Sequence, residues 1–158
     1  MKPRVFVFAA FLLAASVSLS AQETKENIAY SNITEFGFFT TSPKGIAIEA
    51  TTVQGFSIDK IHHLGLGFGI GGCIYSGFGG AYMPLFMNYR LYFKPEKSFS
   101  PHVNAALGGL ITVDGGGVYS ALTMGFISGN FSFSSGVSLM LFDGDLPFGI
   151  TIKCGFSF

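Results

Sequence analysis

The fold is decided by residues 64–74, which read LGLGFGIGGCI. Large apolar side chains occupy every second position from Leu64 to Ile70, and glycine fills the positions between them. Successive side chains of a β-strand point to opposite faces, so this alternation predicts a strand with one large apolar face and one nearly empty face. The same period of two, typical of strands and not of helices, recurs along most of the chain.

Eight segments of the chain show this alternation, and residues typical of turns (glycine, proline, aspartate and asparagine) separate them. Eight consecutive strands with short connections predict an all-β, antiparallel up-and-down sheet. The segments are Ile33 to Thr40, Ile46 to Ile58, Leu64 to Ile74, Tyr82 to Phe93, His102 to Ile111, Ala121 to Phe126, Phe131 to Leu141 and Phe148 to Phe158.

The composition indicates a surface that is largely not in water. Of the 158 residues, 49% are hydrophobic and only 11% are charged, against about 25% charged in an ordinary soluble domain. The nine basic and nine acidic residues cancel, which excludes a nucleic-acid role because no basic field exists to attract a polyanion. No stretch has the roughly 20 consecutive apolar residues of a transmembrane helix.

The size of the two strand faces predicts which one points inward. An eight-stranded barrel has an interior only just wide enough for side chains, so the face rich in glycine, serine and alanine fits inside. The bulky face then points outward, as a belt larger than the apolar patch that a soluble monomer tolerates. A bilayer would bury this belt, with a gain of about 25 cal/mol per Å², and a closed barrel satisfies every backbone hydrogen bond in lipid. We therefore predict an eight-stranded antiparallel up-and-down transmembrane β-barrel.

The charged residues of the predicted strands all fall on the smaller face. A cation on the lipid face near the bilayer midplane would cost about 2–4 kcal/mol, whereas two acids and two bases can pair inside the barrel. We expect a structural charge network there, with Arg90 facing Glu49 as its main pair, and with gating of a narrow path as the alternative. The network consists of Glu35, Glu49, Arg90 and Lys153.

The first 21 residues predict a secretory signal peptide. Lys2 and Arg4 precede an apolar run from Val5 to Ala15, and small residues up to Ala21 follow it. The apolar run is too short for a membrane-spanning helix, and no cysteine follows it to carry a lipoprotein anchor. We divide the chain into signal peptide (1–21), a short polar lead (22–31) and the barrel (32–158).

The end of the chain resembles the last strand of bacterial outer-membrane barrels, which finishes in phenylalanine and is read by the barrel-assembly machinery. Phe158 ends the chain, with Phe156, Ile152 and Ile150 at alternate positions before it. With the signal peptide and the eight segments, this ending is similar to small OmpA/OmpX-type proteins and to the outer-membrane β-barrel domain family.

This resemblance implies a place in the bacterial outer membrane, with lipids and the assembly machinery as partners and Phe156 and Phe158 as the assembly signal. It also implies that the lead (22–31) and both termini lie in the periplasm. The outward connections are expected to be short, which disfavours adhesion through loops. They are centred on Pro43, Gly79, Gly116 and Gly144.

The search for catalytic, cofactor and metal sites yields none. Three histidines, His62, His63 and His102, lie near Asp59 and Glu96, but they lack a regular metal-ligand spacing, so we interpret them as solvated polar residues beside turns. Barrel enzymes that remodel lipid A use a histidine and a serine near the outer leaflet, and this chain places no histidine in its predicted outer half. We expect no cofactor and no enzymatic activity.

The two cysteines are expected to stay unpaired. Cys73 and Cys154 fall on opposite faces of the wall, which disfavours a disulfide.

The leading hypothesis for the function is a non-enzymatic integral outer-membrane protein with a structural or interaction role. The alternatives are a narrow pore or transporter for small solutes, and a secreted lipocalin-like barrel that binds an apolar ligand with its bulky face inside.

Overall fold

The alternating segments form eight strands that follow one another around a closed antiparallel barrel, in which β8 pairs with β1. The computed structural model describes residues 28–42, 45–75, 78–93, 98–113, 115–142 and 148–158. The predicted all-β up-and-down barrel is confirmed. Among the described residues, no helix is long and apolar enough to cross a membrane. The strands are β1 (Ile28–Ser42), β2 (Gly45–Ile58), β3 (His62–Tyr75), β4 (Phe78–Tyr92), β5 (Phe99–Thr112), β6 (Gly116–Ser128), β7 (Phe131–Phe142) and β8 (Phe148–Ser157).

The strand register sets the shape of the barrel. A path through paired residues that leaves β1 at Tyr30 returns to β1 at Thr40, ten residues further along (40 minus 30). Such a stagger requires strands tilted by about 35–45° from the barrel axis, and it leaves an interior that side chains can fill. The path runs through Tyr30, Phe56, Leu64, Tyr89, Ala105, Leu122, Val137, Ile150 and Thr40.

The bulky face of the strands points outward, as predicted. Leu66 is 62% exposed, Leu85 57% and Ile152 46%, and large apolar side chains on all eight strands share this exposure. The lipocalin-like alternative, which needs these side chains inside, is therefore wrong. The inward face encloses the space that we call the lumen.

The lumen holds more large side chains than the sequence indicated, and glycines make room for them. A Cβ atom at Gly67 would lie 2.2 Å from the ring of Phe86, and one at Gly71 would lie 2.3 Å from the ring of Tyr82. The alternate glycines of β3 are thus a flat surface on which inward rings of β4 rest. The buried apolar cluster consists of Ile33, Phe39, Ala47, Val53, Tyr82, Phe86, Ala106, Leu110, Tyr119, Ala121 and Met140.

Gly67→Ala tests this packing. We expect the variant to lower the free energy of unfolding by about 1–3 kcal/mol, the usual cost of overpacking a filled interior. Gly109→Ala is the matched control, because a Cβ there meets only the Gly117 carbonyl oxygen at 3.6 Å. Urea titration of the folded barrel measures both variants. Equal effects at the two glycines would contradict the packing of Phe86 over Gly67.

Several strand boundaries differ from the predicted ones. β1 begins at Ile28, so residues 28–31 of the predicted lead belong to the barrel wall, where they pair with β2. Gly79 and Gly116, expected in connections, lie inside β4 and β6 because the strand pairing continues up to them. The signal peptide (1–21), residues 22–27 of the lead, and the connections at Pro43, Pro95 and Gly144 lie outside the described residues.

The connection between β2 and β3 is a tight turn. Asp59 and Lys60 have φ of 52° and 58°, and the Ile61 amide donates to the Ile58 carbonyl at 3.1 Å. Two central residues with positive φ define the type I′ turn, whose twist matches that of the flanking strands. This turn lies at the end of the barrel that also holds Ile28 and Phe158, which we call the terminal end.

Candidate functional site

The lumen receives all four of the charged strand residues singled out from the sequence. The Arg90 Nη2 atom lies 2.8 Å from Glu35 Oε1, and the Lys153 Nζ atom lies 2.6 Å from Glu49 Oε1. All four side chains are at most 5% exposed. The expected pairing of Arg90 with Glu49 is wrong, because each of these residues has a different partner.

A glycine explains the partner of Glu49. Gly37 on β1 pairs with Glu49 on one side and with Lys153 on the other. Because Gly37 has no side chain, the two charged side chains approach each other across it; a Cβ at this position would lie 2.8 Å from Glu49 Cγ. The glycine on β1 is the signal in the sequence that could have predicted this pair, but only with the register known.

A serine completes the first ion pair. Arg90 Nη1 donates to Ser132 Oγ at 3.2 Å, and Ser132 Oγ donates to Glu35 Oε1 at 3.0 Å. Arg90 and Ser132 are completely buried. Burial of charges is tolerated when they are paired and hydrogen-bonded in this way, so the three residues join β1, β4 and β7 across the lumen.

Two tyrosines surround the second ion pair, and the sequence reasoning missed them. Tyr119 donates to Glu49 Oε1 at 2.9 Å, and Tyr82 donates to Glu49 Oε2 at 3.3 Å. Lys153 Nζ donates to the Tyr119 hydroxyl at 2.8 Å. Both tyrosines lie at inward positions of their strands, and this position was the feature of the sequence that could have predicted their contact with the ion pair. Glu49 is therefore held by one cation and two hydroxyl groups.

Amide side chains extend the polar contacts to β5. Asn88 Nδ2 donates to Asn104 Oδ1 at 2.7 Å, and Asn104 Nδ2 lies 3.3 Å from Thr123 Oγ1. Every strand contributes at least one buried polar or charged residue, and these side chains occupy the lumen. One from each strand in order is Glu35, Glu49, His63, Arg90, His102, Tyr119, Ser132 and Lys153.

The three histidines lie on both sides of the barrel wall. His62 faces outward, with Nδ1 2.8 Å from the Tyr89 hydroxyl. His63 and His102 are 0% and 1% exposed, so their interpretation as solvated residues beside turns is wrong; the strands extend further than expected and carry both rings into the lumen. Within the described ranges, no group of three histidine, cysteine or acidic residues could hold a metal ion.

The cysteines and the last strand lie where the alternation placed them. Cys73 packs against the buried cluster and Cys154 is exposed on the outer wall, and both are free. Phe156 and Phe158 are exposed on the outer face. The Phe158 amide donates to the Asn32 carbonyl at 2.8 Å, so the end of the chain completes the closure of the barrel against β1. Its role as an assembly signal stays a prediction.

A closed eight-stranded antiparallel barrel with an outward apolar belt and a polar, filled lumen is the fold of the small outer-membrane β-barrels. Solved structures share it. The chain is similar to the outer membrane enzyme PagL, with a TM-score of 0.61 and 11% identity over 78% of this chain and 97% of that one. The N-terminal β-barrel domain of Pseudomonas aeruginosa OprF gives a TM-score of 0.52 and 13% identity over 81% and 97%.

A de novo designed transmembrane β-barrel has a TM-score of 0.51 and 12% identity over 87% of this chain and all of the designed one. At such identities the likeness is one of fold alone. No protein-family model matches the sequence. No curated protein matches it either.

Proposed function

We propose that the chain is an integral protein of the bacterial outer membrane, exported by the signal peptide 1–21, with a structural or interaction role and no enzymatic activity. One observation carries this proposal: large apolar side chains such as Leu66, Leu85 and Leu122 are more than half exposed around the whole wall. In water such a belt would drive aggregation, whereas acyl chains would bury it. The partners are membrane lipids and, through Phe156 and Phe158, the barrel-assembly machinery.

The filled lumen supports a non-conducting barrel over a pore or transporter. Arg90 and Lys153 are both held in ion pairs, and the rings of Phe86 and Tyr119 pack together with centroids 5.1 Å apart in the lumen. An ion would have to break these contacts to pass. A narrow pore remains the second candidate function because the lumen is lined with polar groups.

The positions of the histidines support a role other than that of an enzyme. PagL, which shares the fold, is an outer membrane enzyme. In this chain, His62 is the outward-facing histidine, and the group that it contacts is the Tyr89 hydroxyl, a weak nucleophile at neutral pH. His63 and His102 are buried in the lumen, and the barrel wall separates them from the acyl chains.

Extraction and heat-dependent gel mobility test the proposed location and fold together. We expect the protein to fractionate with the outer membrane, to require detergent for extraction, and to migrate at different positions when boiled and unboiled, because a closed barrel resists unfolding by detergent without heat. Extraction by buffer alone would contradict the proposal.

Single-channel recording in planar bilayers tests the closed lumen. We expect no discrete conductance steps from the folded protein. Phe86→Ala, which removes a ring from the lumen, serves as the comparison variant. Discrete steps from the wild-type protein would favour the pore and would overturn the assignment of a closed barrel.

A further inference from the structure

We propose that the mouth of the lumen at the terminal end is a binding site for a phosphate group. A cavity of about 270 Å³ lies there, bounded by the ends of the strands and the turns between them. Five serines line it, from four strands and one connection: Ser31, Ser57, Ser98, Ser100 and Ser157. The proposal goes beyond the function proposed above, since it assigns a ligand to one end of the barrel.

The groups around the cavity favour an anion. Besides the five serines, Lys60 and Tyr92 line it, and none of the described lining residues is a carboxylate. Hydroxyl and ammonium groups donate hydrogen bonds, and a phosphate group offers several charged acceptor oxygens that can receive them at once. Asp59, beside Lys60 in the turn, is exposed and does not line the cavity.

The ion pair beneath the cavity is oriented to attract a negative charge. Arg90 lies two residues from the end of β4 at Tyr92, whereas Glu35 lies seven residues beyond the start of β1 at Ile28. The guanidinium is therefore the end of the pair that lies nearer the mouth. Tyr92, which lines the cavity, interacts with Arg90. The positive end of the ion pair therefore faces the cavity, and this orientation favours a negative charge there.

Several buried polar atoms on and behind the wall of the cavity have no hydrogen-bond partner. Within the described part of the chain, Ser100 Oγ, which borders the cavity, has no hydrogen-bond partner, and neither has Arg90 Nε. Neither ring nitrogen of His102 has a hydrogen-bond partner, and the His102 ring lies 5.8 Å from the ring of Tyr92. His63 lies beside the backbone of Ser31, yet its nitrogens form no hydrogen bond of ordinary geometry.

Such atoms are costly to leave unsatisfied. Six of the eight in the described part of the chain belong to Ser100, Arg90, His102 and His63, and the other two are Asn88 Oδ1 and Ser134 Oγ. A polar group from outside the chain can supply the missing hydrogen bonds. Water can supply some of these bonds, but the ammonium group of Lys60 beside five serine hydroxyls suits a charged acceptor such as a phosphate group better. The group can come from free inorganic phosphate or from the headgroup of a phospholipid.

Titration of the folded full-length barrel in an uncharged detergent tests the site. The probes are inorganic phosphate and glycerophosphoglycerol, the water-soluble headgroup of phosphatidylglycerol, with binding followed by ³¹P nuclear magnetic resonance. We expect saturable binding of at least one probe. Lys60→Gln should weaken it about tenfold, the effect of one lost hydrogen bond to a charged group. Ser100→Ala should weaken it by a smaller factor.

Lys44→Gln is the matched control, because it removes the same charge two positions after Ser42, and β1 ends at Ser42 on the side of the barrel opposite the terminal end. We expect its binding to equal that of the wild type. Heat-dependent gel mobility verifies that each variant is folded. Binding of the headgroup probe would identify a lipid as the source, and binding of inorganic phosphate alone would identify the free ion. The proposal is overturned if neither probe binds saturably, or if Lys60→Gln and Lys44→Gln have equal effects.

Discussion

We expect Arg90→Met to lower the free energy of unfolding by about 3–5 kcal/mol, the effect of removing one partner from a buried ion pair. The substitution leaves Glu35 charged in a site that is almost completely buried. It also removes the hydrogen bond from Arg90 Nη1 to Ser132. Urea titration of the barrel measures the change, and heat-dependent gel mobility reports the fraction of folded protein at each urea concentration.

A double-mutant cycle separates the ion pair from the packing of the side chain. Glu35→Gln in the Arg90→Met background removes the unpaired charge, so we expect the double variant to be more stable than Arg90→Met alone. The coupling between the two positions should amount to about 0.5–3 kcal/mol. The matched cycle combines Arg90→Met with Glu49→Gln, which has a different partner, and should be additive within about 0.5 kcal/mol. Coupling in the second cycle but not in the first would show that the observed pairing is wrong.

Leu122→Arg has the second large effect. Leu122 is the seventh of the 13 residues of β6 and is 56% exposed on the outer wall. In water an arginine at such an exposed position would change stability by about 0.5 kcal/mol or less. At the midplane of a bilayer it costs about 2–4 kcal/mol. We expect the bilayer value when the variant is refolded into phospholipid vesicles and titrated with urea.

Val113→Arg provides the control for this prediction. Val113 lies just beyond the end of β5 and is 90% exposed, so an arginine there can reach the membrane interface, where the cost falls to about 0–1 kcal/mol. The difference between the two variants measures the depth of Leu122 in the bilayer. Small and equal effects at both positions would mean that water, not lipid, surrounds the barrel.

The number of strands, their order and the outward face were all predicted from local pattern. In β3, leucine and isoleucine alternate with glycine, and only one of the two faces can be placed against lipid. The alternation is a property of neighbouring residues, so it needs no knowledge of the rest of the chain. The boundaries at Ile28 and Gly79 were less well predicted, because strand pairing extends into residues whose own sequence resembles a lead or a turn.

The filling of the lumen was predicted only in part. Small residues on the inward face indicated a narrow interior, but the glycines at positions 67 and 71 turned out to accommodate the rings of Phe86 and Tyr82. Contacts of this kind join different strands, so the strand register decides which residues meet. The burial of His63 and His102 was not predicted, because β3 and β5 begin earlier in the chain than the alternation indicates.

By itself the sequence determined the class of fold and the inward position of four charges, because a period of two fixes the face of every strand residue. Only the tertiary structure decided which charges meet. The ten-residue stagger of the closed barrel sets Gly37 between Glu49 and Lys153 and brings Arg90 across the lumen to Glu35. Closure of the wall fixes this stagger as a whole, so no single segment of the chain encodes it.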